Sequence, residues 1–161
     1  MIRIGNGYDV HRLDNGLDLW IGGVKIDFSK GAVAHSDGDA LIHAICDALL
    51  GAAALKDIGH HFPDSDIRYK NIDSKIILRE TVNLITAKGY SIVNIDSVVC
   101  LQQPKINSYI DEMQKCMAKV MNIDADRISI KATTTEKLGF TGREEGIAAY
   151  AVALIEKNNN N

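Results

Sequence analysis

Hydrophobic and polar positions along the chain change their rhythm several times. Arg3 to Val10 and Leu17 to Phe28 alternate as strands do, and Gly5, Gly7 and the Gly22-Gly23 pair are expected to interrupt them. From His35 to Leu55 the rhythm becomes helical and apolar on nearly every side, the pattern of a helix buried on most of its surface. Ser36 or Asp37 is placed to cap that helix, with Asp39 near the capping-box position. Its polar exceptions, Asp39, His43 and Asp47, recur at i, i+4 and i+8 and so share one face. A second helix opens at Ser74 and ends at Gly89, a strand covers Ile92 to Leu101, and an amphipathic helix covers Ser108 to Met121. Strands follow at Arg127 to Thr133 and Gly146 to Glu156. Both faces of the last strand are apolar, where a half-buried edge strand would have one polar face. With few helices to cover two faces, the pattern predicts that one of them meets another copy of the protein.

Length and composition narrow the class. A chain of 161 residues is one domain's worth of polypeptide and can bury a core without a staple. Two prolines and the absence of any Ser/Gly-rich spacer predict a single domain over residues 1–157, with Asn158 to Asn161 as a disordered tail. The net charge of −3 and the lack of clustered basic residues argue against a nucleic-acid or anionic-membrane surface. The stretch Ala40 to Leu55 is too short to span a bilayer and is broken by His43 and Asp47. Met1-Ile2-Arg3 runs directly into a strand pattern, so no targeting segment is expected there. Cys46, Cys100 and Cys116 lie far apart within apolar patterns, the usage of a reduced, cytoplasmic protein.

Three clusters carry candidate chemistry. Asp9-Val10-His11 puts two ligands on one side of an extended segment, and His43 alone on its apolar helix is a third. An Asp and two imidazoles suit Zn²⁺ and leave a fourth position for substrate. Asp39 and Asp47, one turn to either side, are expected to orient the second nitrogen of His43. D-x-H equally fits an Asx turn beside a surface histidine. The segment Asp57 to Asp66 offers Asp57 and Asp64 for substrate hydroxyls and His60 and His61 as further ligands, or else a solvated loop with Gly59 as a helix cap. Lys131 to Gly146 sets three threonines at a strand end, then Glu136, Lys137, two glycines and Arg143. Hydroxyls, amides and a guanidinium donate to phosphoryl oxygens, and Glu136 can hold a cation bridging phosphates. The same segment also reads as a polar hairpin. Lys105, after Pro104, is placed to line a base pocket.

GNGYDVH, IGG, AHSDGDALIHAICDALLGAAALKDIGHHFPD, AKGY, QQPKI and KATTTEKLGFTGREEGIAA stand in an order and spacing that resemble the 2-C-methyl-D-erythritol 2,4-cyclodiphosphate synthase family of the non-mevalonate isoprenoid pathway, from Ile2 to about Lys157. The resemblance implies an α+β subunit with a four-stranded mixed sheet and helices on one side. It implies a homotrimer with active sites between neighbours. The implied reaction converts 4-diphosphocytidyl-2-C-methyl-D-erythritol 2-phosphate into the cyclic diphosphate and CMP, a phosphorus-oxygen lyase activity.

By matching position, Asp9, His11 and His43 would hold Zn²⁺ or another divalent cation, and Asp9 and His11 would also touch substrate. His35 and Ser36 would contact phosphate, with His35 and Thr134 as transition-state stabilisers. Asp57, Ile58, Gly59, Phe62 and Asp64 would surround the methylerythritol part. Leu101, Lys105, Ile106, Ala132, Thr133 and Thr134 would line the cytidine pocket of the adjoining subunit. Thr135 and Glu136 would follow, Glu136 holding Mg²⁺ or Mn²⁺ between phosphates, with Phe140 and Arg143 at the substrate edge or trimer axis. Two other classes share these residue types: a zinc phosphohydrolase, which would give a linear product, and a non-enzymatic metal- or nucleotide-binding trimer, which would release no CMP.

Overall fold

A computed structural model describes residues 1–63 and 65–158. Strand β1 runs unbroken from Ile2 to Asn15. It is followed by β2 (Leu19–Ile21), β3 (Val24–Ile26) and β4 (Lys30–Val33). Then come α1 (Ala40–Ala52), the single turn α2 (Ile58–His61), α3 (Ser74–Ala87) and β5 (Tyr90–Cys100). The chain continues through α4 (Ile110–Met121), β6 (Ile128–Thr133), the turn α5 (Gly139–Gly142) and β7 (Gly146–Lys157). The sheet order is β4-β1-β7-β5-β6, antiparallel except for the parallel β5–β6 pair, while β2 and β3 form a separate hairpin. Helix α4 lies in the crossover that a parallel pair requires.

The main sheet therefore has five strands, not the expected four, and a two-stranded hairpin accompanies it. The extra strand, Lys-Gly-Ala-Val, is too short to show alternation and joins the edge by pairing with Arg12 to Asn15. Gly5 and Gly7 do not break β1; they remain in register opposite Ala153 and Ala151 of β7. Gly22 and Gly23 make the tight turn between β2 and β3, with φ of 61° and 78°. Positive φ at both central residues is the requirement of the type I′ hairpin turn, so this interruption is real.

Gly5 and Gly7 explain where α1 sits. A Cβ on either would overlap the backbone of α1, at Ala48 and Ala44 respectively. Ala44, Ala48 and Ala52 recur every four residues and present the matching flat stripe. The helix therefore rests on the strand backbone, and the same inner face of β1 continues into Asp9 and His11. Helix α1 also packs on β7, with α3 beside it and α4 against β3 and β6. Ile42, Ile45, Leu49, Leu78, Ile95, Met113, Ile147 and Ile155 fill the space between helices and sheet.

The opposite sheet face carries no helix among the described residues. Ile2, Ile4, Tyr8, Val10, Tyr150 and Val152 are exposed on it. Tyr8 faces Tyr150 across the β1–β7 pair with ring centroids 4.7 Å apart. The two apolar faces of β7 thus divide: Ile147, Ala149, Ala151, Ala153 and Ile155 lie buried beneath α1, while Tyr150 and Val152 are bare. At the C-terminal end, the Asn158 N–H donates to the Gly89 carbonyl; the rest of the expected asparagine tail lies outside the described residues.

Candidate active site

The close approach of α1 to β1 brings three remote side chains together. Asp9 Oδ2 is 2.9 Å from His11 Nε2 and 3.0 Å from His43 Nδ1, and the two ring nitrogens are 3.1 Å apart. One donor atom from each residue lies within 4.8 Å of the other two, a set that can hold a divalent cation. Burial opposes the charge on Asp9, but hydrogen bonds from His11 and His43 prevail and hold its carboxyl well below the usual range. Burial likewise disfavours charge on His43, yet the hydrogen bond and charge of Asp9 raise its proton affinity above the ordinary value. A divalent cation bound here would take the place of the protons that the carboxylate and the rings now share.

The expected orienting residues have other duties. Asp39 is the true N-cap of α1 and accepts from Ile42 N–H at 3.0 Å, while its carboxylate also receives Gly22 N–H at 2.9 Å and Gly23 N–H at 2.7 Å. It is fully buried, and burial raises its pKa despite these donors. Asp47 accepts from Ile58 N–H at 2.8 Å. The second nitrogen of His43 instead meets Ser74 Oγ at 2.9 Å and Ser36 Oγ at 3.3 Å. Ser74 in turn is bound to Asp37. Ser74 gave no signal in the sequence, because 31 residues separate it from His43 and no spacing rule joins them.

A cavity of about 460 Å³ opens over the triad. Asp9, His11, His43, His35 and Ser36 supply its polar side; Ile58, Gly59, Phe62, Tyr69, Ile72 and Ile77 supply much of the rest. The tyrosine and the two last isoleucines were not foreseen as lining residues. Asp57 caps α2 by accepting from His60 N–H at 2.9 Å and so positions Ile58 and Gly59. His61 donates to the Leu55 carbonyl at 2.8 Å, and neither it nor His60 joins the triad. Asp64 lies outside the described residues. His35 lines the cavity with a buried Nε2 that has no partner among the described residues.

The third sequence cluster forms a separate site. Leu101, Lys105, Ile106, Ala132, Thr133 and Thr134 surround a cavity of about 140 Å³ at the end of β5 and β6. Beyond it, Glu136 and Lys137 turn through left-handed conformations, φ 52° and 63°, at a cost on the order of 1 kcal/mol each. Glu136 accepts from Thr134 Oγ1 at 3.3 Å, which holds its carboxylate beside the threonines. Thr135 directs its hydroxyl inward, donating to the Leu138 carbonyl at 2.6 Å. Arg143 is exposed and paired with Glu145 at 2.9 and 3.0 Å, and the Phe140 ring lies against Gly146.

Register fixes how the two sites are related. Asp9 pairs with Ala149, Ala149 with Val99, and Val99 with Ala132, so both sites stand at one level of the sheet. Three strand spacings separate Asp9 from Ala132, about 14 Å of sheet.

A two-layer α+β domain with a carboxylate–bis-imidazole triad able to hold a metal ion and a separate hydroxyl-rich pocket defines the class of protein. A model of the YgbB family matches residues 2–156, and the chain belongs to that family. It is 61% identical over 157 residues to the 2-C-methyl-D-erythritol 2,4-cyclodiphosphate synthase of Bacteroides thetaiotaomicron, covering 98% of this chain and 99% of that one. Among solved structures, the IspF CDP complex of Plasmodium falciparum superposes with a TM-score of 0.86 at 40% identity, covering 98% and 97% of the two chains. The bifunctional IspDF of Campylobacter jejuni superposes with a TM-score of 0.94 at 42% identity; 98% of this chain corresponds to 42% of that longer one. No described helix is long and apolar enough to cross a membrane.

Proposed function

We infer that this chain is a 2-C-methyl-D-erythritol 2,4-cyclodiphosphate synthase, a lyase of isoprenoid precursor biosynthesis. It converts 4-diphosphocytidyl-2-C-methyl-D-erythritol 2-phosphate into the cyclic diphosphate and CMP. The observation that carries the reading is the Asp9, His11 and His43 triad, placed at the floor of a cavity in a chain that belongs to this family. CDP-bound relatives support a cytidine diphosphate group in the substrate.

In the reaction an oxygen of the 2-phosphate attacks the β-phosphorus, and the bond from that phosphorus to the bridging oxygen of CMP breaks. A phosphate monoester has a second pKa of about 6, so the nucleophile is mostly a dianion at neutral pH and needs no strong base. The barrier is repulsion: two unit charges about 4 Å apart repel by roughly 4 kcal/mol at an effective dielectric of 20. No lysine or arginine lines the triad cavity among the described residues, so anionic groups there need a bound cation. Asp9, His11 and His43 would hold Zn²⁺, which would supply a Lewis acid and counter-charge for the phosphates. Glu136 is the residue that would hold Mg²⁺ or Mn²⁺ against the diphosphate, beside the donors of Thr133 and Thr134. His35 and Thr134 would stabilise charge in the transition state, with Ser36 on the phosphate. The surfaces of Ile58, Gly59 and Phe62, with Asp57 and Asp64, would hold the methylerythritol part. Lys105 and Ile106, with Leu101 and Ala132, would hold the cytidine, and Phe140 and Arg143 would border the substrate.

The active unit is a homotrimer, each site joining the triad of one protomer to the Lys105–Glu136 pocket of the next. The bare apolar face of β1 and β7 supports this assembly, as does the span between the two half-sites. Phosphorus NMR of the reaction tests the function: resonances of a ring diphosphate with CMP are expected. A linear phosphate product, or no CMP, contradicts it.

A further inference from the structure

We propose that Ser74 and Asp37 form a positioning clamp that sets His43 for the metal, an inference that rests on the triad reading above. His43 turns Nδ1 toward Asp9 and His11, so Nδ1 is its ligand atom, and Nε2 lies on the opposite side of the ring. A neutral imidazole bound to metal through Nδ1 carries its only N–H at Nε2. That N–H donates to Ser74 Oγ, 2.9 Å away, and the Ser74 hydroxyl then has one place to send its own hydrogen, the Asp37 carboxylate.

The Ser74 backbone N–H donates to the other oxygen of Asp37 at 2.9 Å, so a single residue engages both carboxylate oxygens. Ser74 is fully buried. The result is a one-way chain, His43 to Ser74 to Asp37, in which a carboxylate acts on a metal-binding histidine through one hydroxyl. Such partners fix the ring and its tautomer and strengthen the ligand nitrogen. The clamp is held in place by the backbone around it: Asp37 N–H donates to the Ile72 carbonyl at 3.1 Å, and Asn71 N–H to the His35 carbonyl at 2.7 Å. Residues 35–37 and 71–74 are therefore tied together beside the cavity. Ser36 Oγ is farther from Nε2 and already accepts from Gly38 N–H, so it plays the lesser part.

The test compares the full-length protein with Ser74→Ala, Asp37→Asn and the double variant, measuring zinc affinity by chelator competition and the visible spectrum of the Co²⁺-loaded forms. Ser74→Ala is expected to weaken zinc by about 10- to 100-fold and to alter the Co²⁺ bands, because the imidazole is no longer held. Asp37→Asn weakens zinc in the same direction, and the double variant loses less than the product of the two single losses, since Asp37 acts through Ser74. A merely structural role would lower the melting temperature and leave zinc affinity and spectrum in place. Wild-type protein that binds zinc while both single variants match it overturns the clamp alone; so do independent, multiplicative losses. Wild-type protein that takes up no zinc overturns the triad reading and the clamp with it.

Discussion

Gly7 lies directly beneath the carbonyl of Ala44, so close that a Cβ on the glycine would occupy the space of that oxygen. The residue after Ala44 in the other direction along the helix is His43, and two residues on from Gly7 along the strand is Asp9. One backbone-to-backbone contact thus sets the distance across which the metal ligands meet.

Gly7→Ala should therefore damage the metal site although it removes no ligand. The added methyl must lift α1 from β1, at about 1–3 kcal/mol, and separate His43 from Asp9 and His11. Thermal unfolding and zinc titration of the variant check this: a lower melting temperature together with at least about 10-fold weaker zinc is expected. A variant with native zinc affinity would mean that the contact does not position the site.

His43→Ala should lose zinc and reduce turnover more than about 100-fold, and leave the proposed trimer intact. The triad is on the helix side of the sheet and the bare apolar face is on the other. Metal analysis, light scattering and a CMP-release assay separate these outcomes. Full turnover in a zinc-free variant would contradict the role given to the triad.

Lys105→Ala should raise the dissociation constant for CMP by about 10-fold, the worth of one charge-assisted hydrogen bond, before it slows the chemical step. Calorimetric titration with CMP, alongside kcat and KM, reads this directly. An unchanged CMP affinity would remove Lys105 from the nucleotide pocket.

Val152→Asp should dissociate the assembly. Val152 is exposed on the bare face, between Asn6 and Asp96 of the neighbouring strands, and a further carboxylate buried there beside Asp96 costs several kcal/mol. Sedimentation should show monomers that still bind zinc but release little CMP. A fully active trimer would show that this face is not where protomers meet.

Much of this architecture was legible along the chain because its causes are local. The 3.6-residue and two-residue rhythms marked the three long helices and strands β5, β6 and β7. The apolar double face of β7 pointed to a covering on both sides, and the structure shows one side under α1 and the other bare. What escaped depended on tertiary contact. Gly5 and Gly7 read as interruptions because a glycine under a helix and a glycine in a turn are the same letter. Asp39 and Asp47 read as partners of His43 from helical spacing, yet backbone amides brought in by the β2–β3 turn and by α2 claim their carboxylates. Ser74 could not be found from spacing at all. The triad itself was legible because D-x-H fixes two ligands locally and the helix left His43 as the one imidazole on an apolar surface.

The most direct test of a site shared between protomers is to mix two disabled proteins. His43→Ala lacks the metal centre and Glu136→Gln lacks the second half, so each should be nearly inactive alone. Refolded together as mixed trimers, they should regain about a quarter of wild-type CMP release, because random assembly leaves that share of interfaces with both halves intact. Activity no greater than the sum of the two parents would place both halves of the site in a single chain and contradict the account.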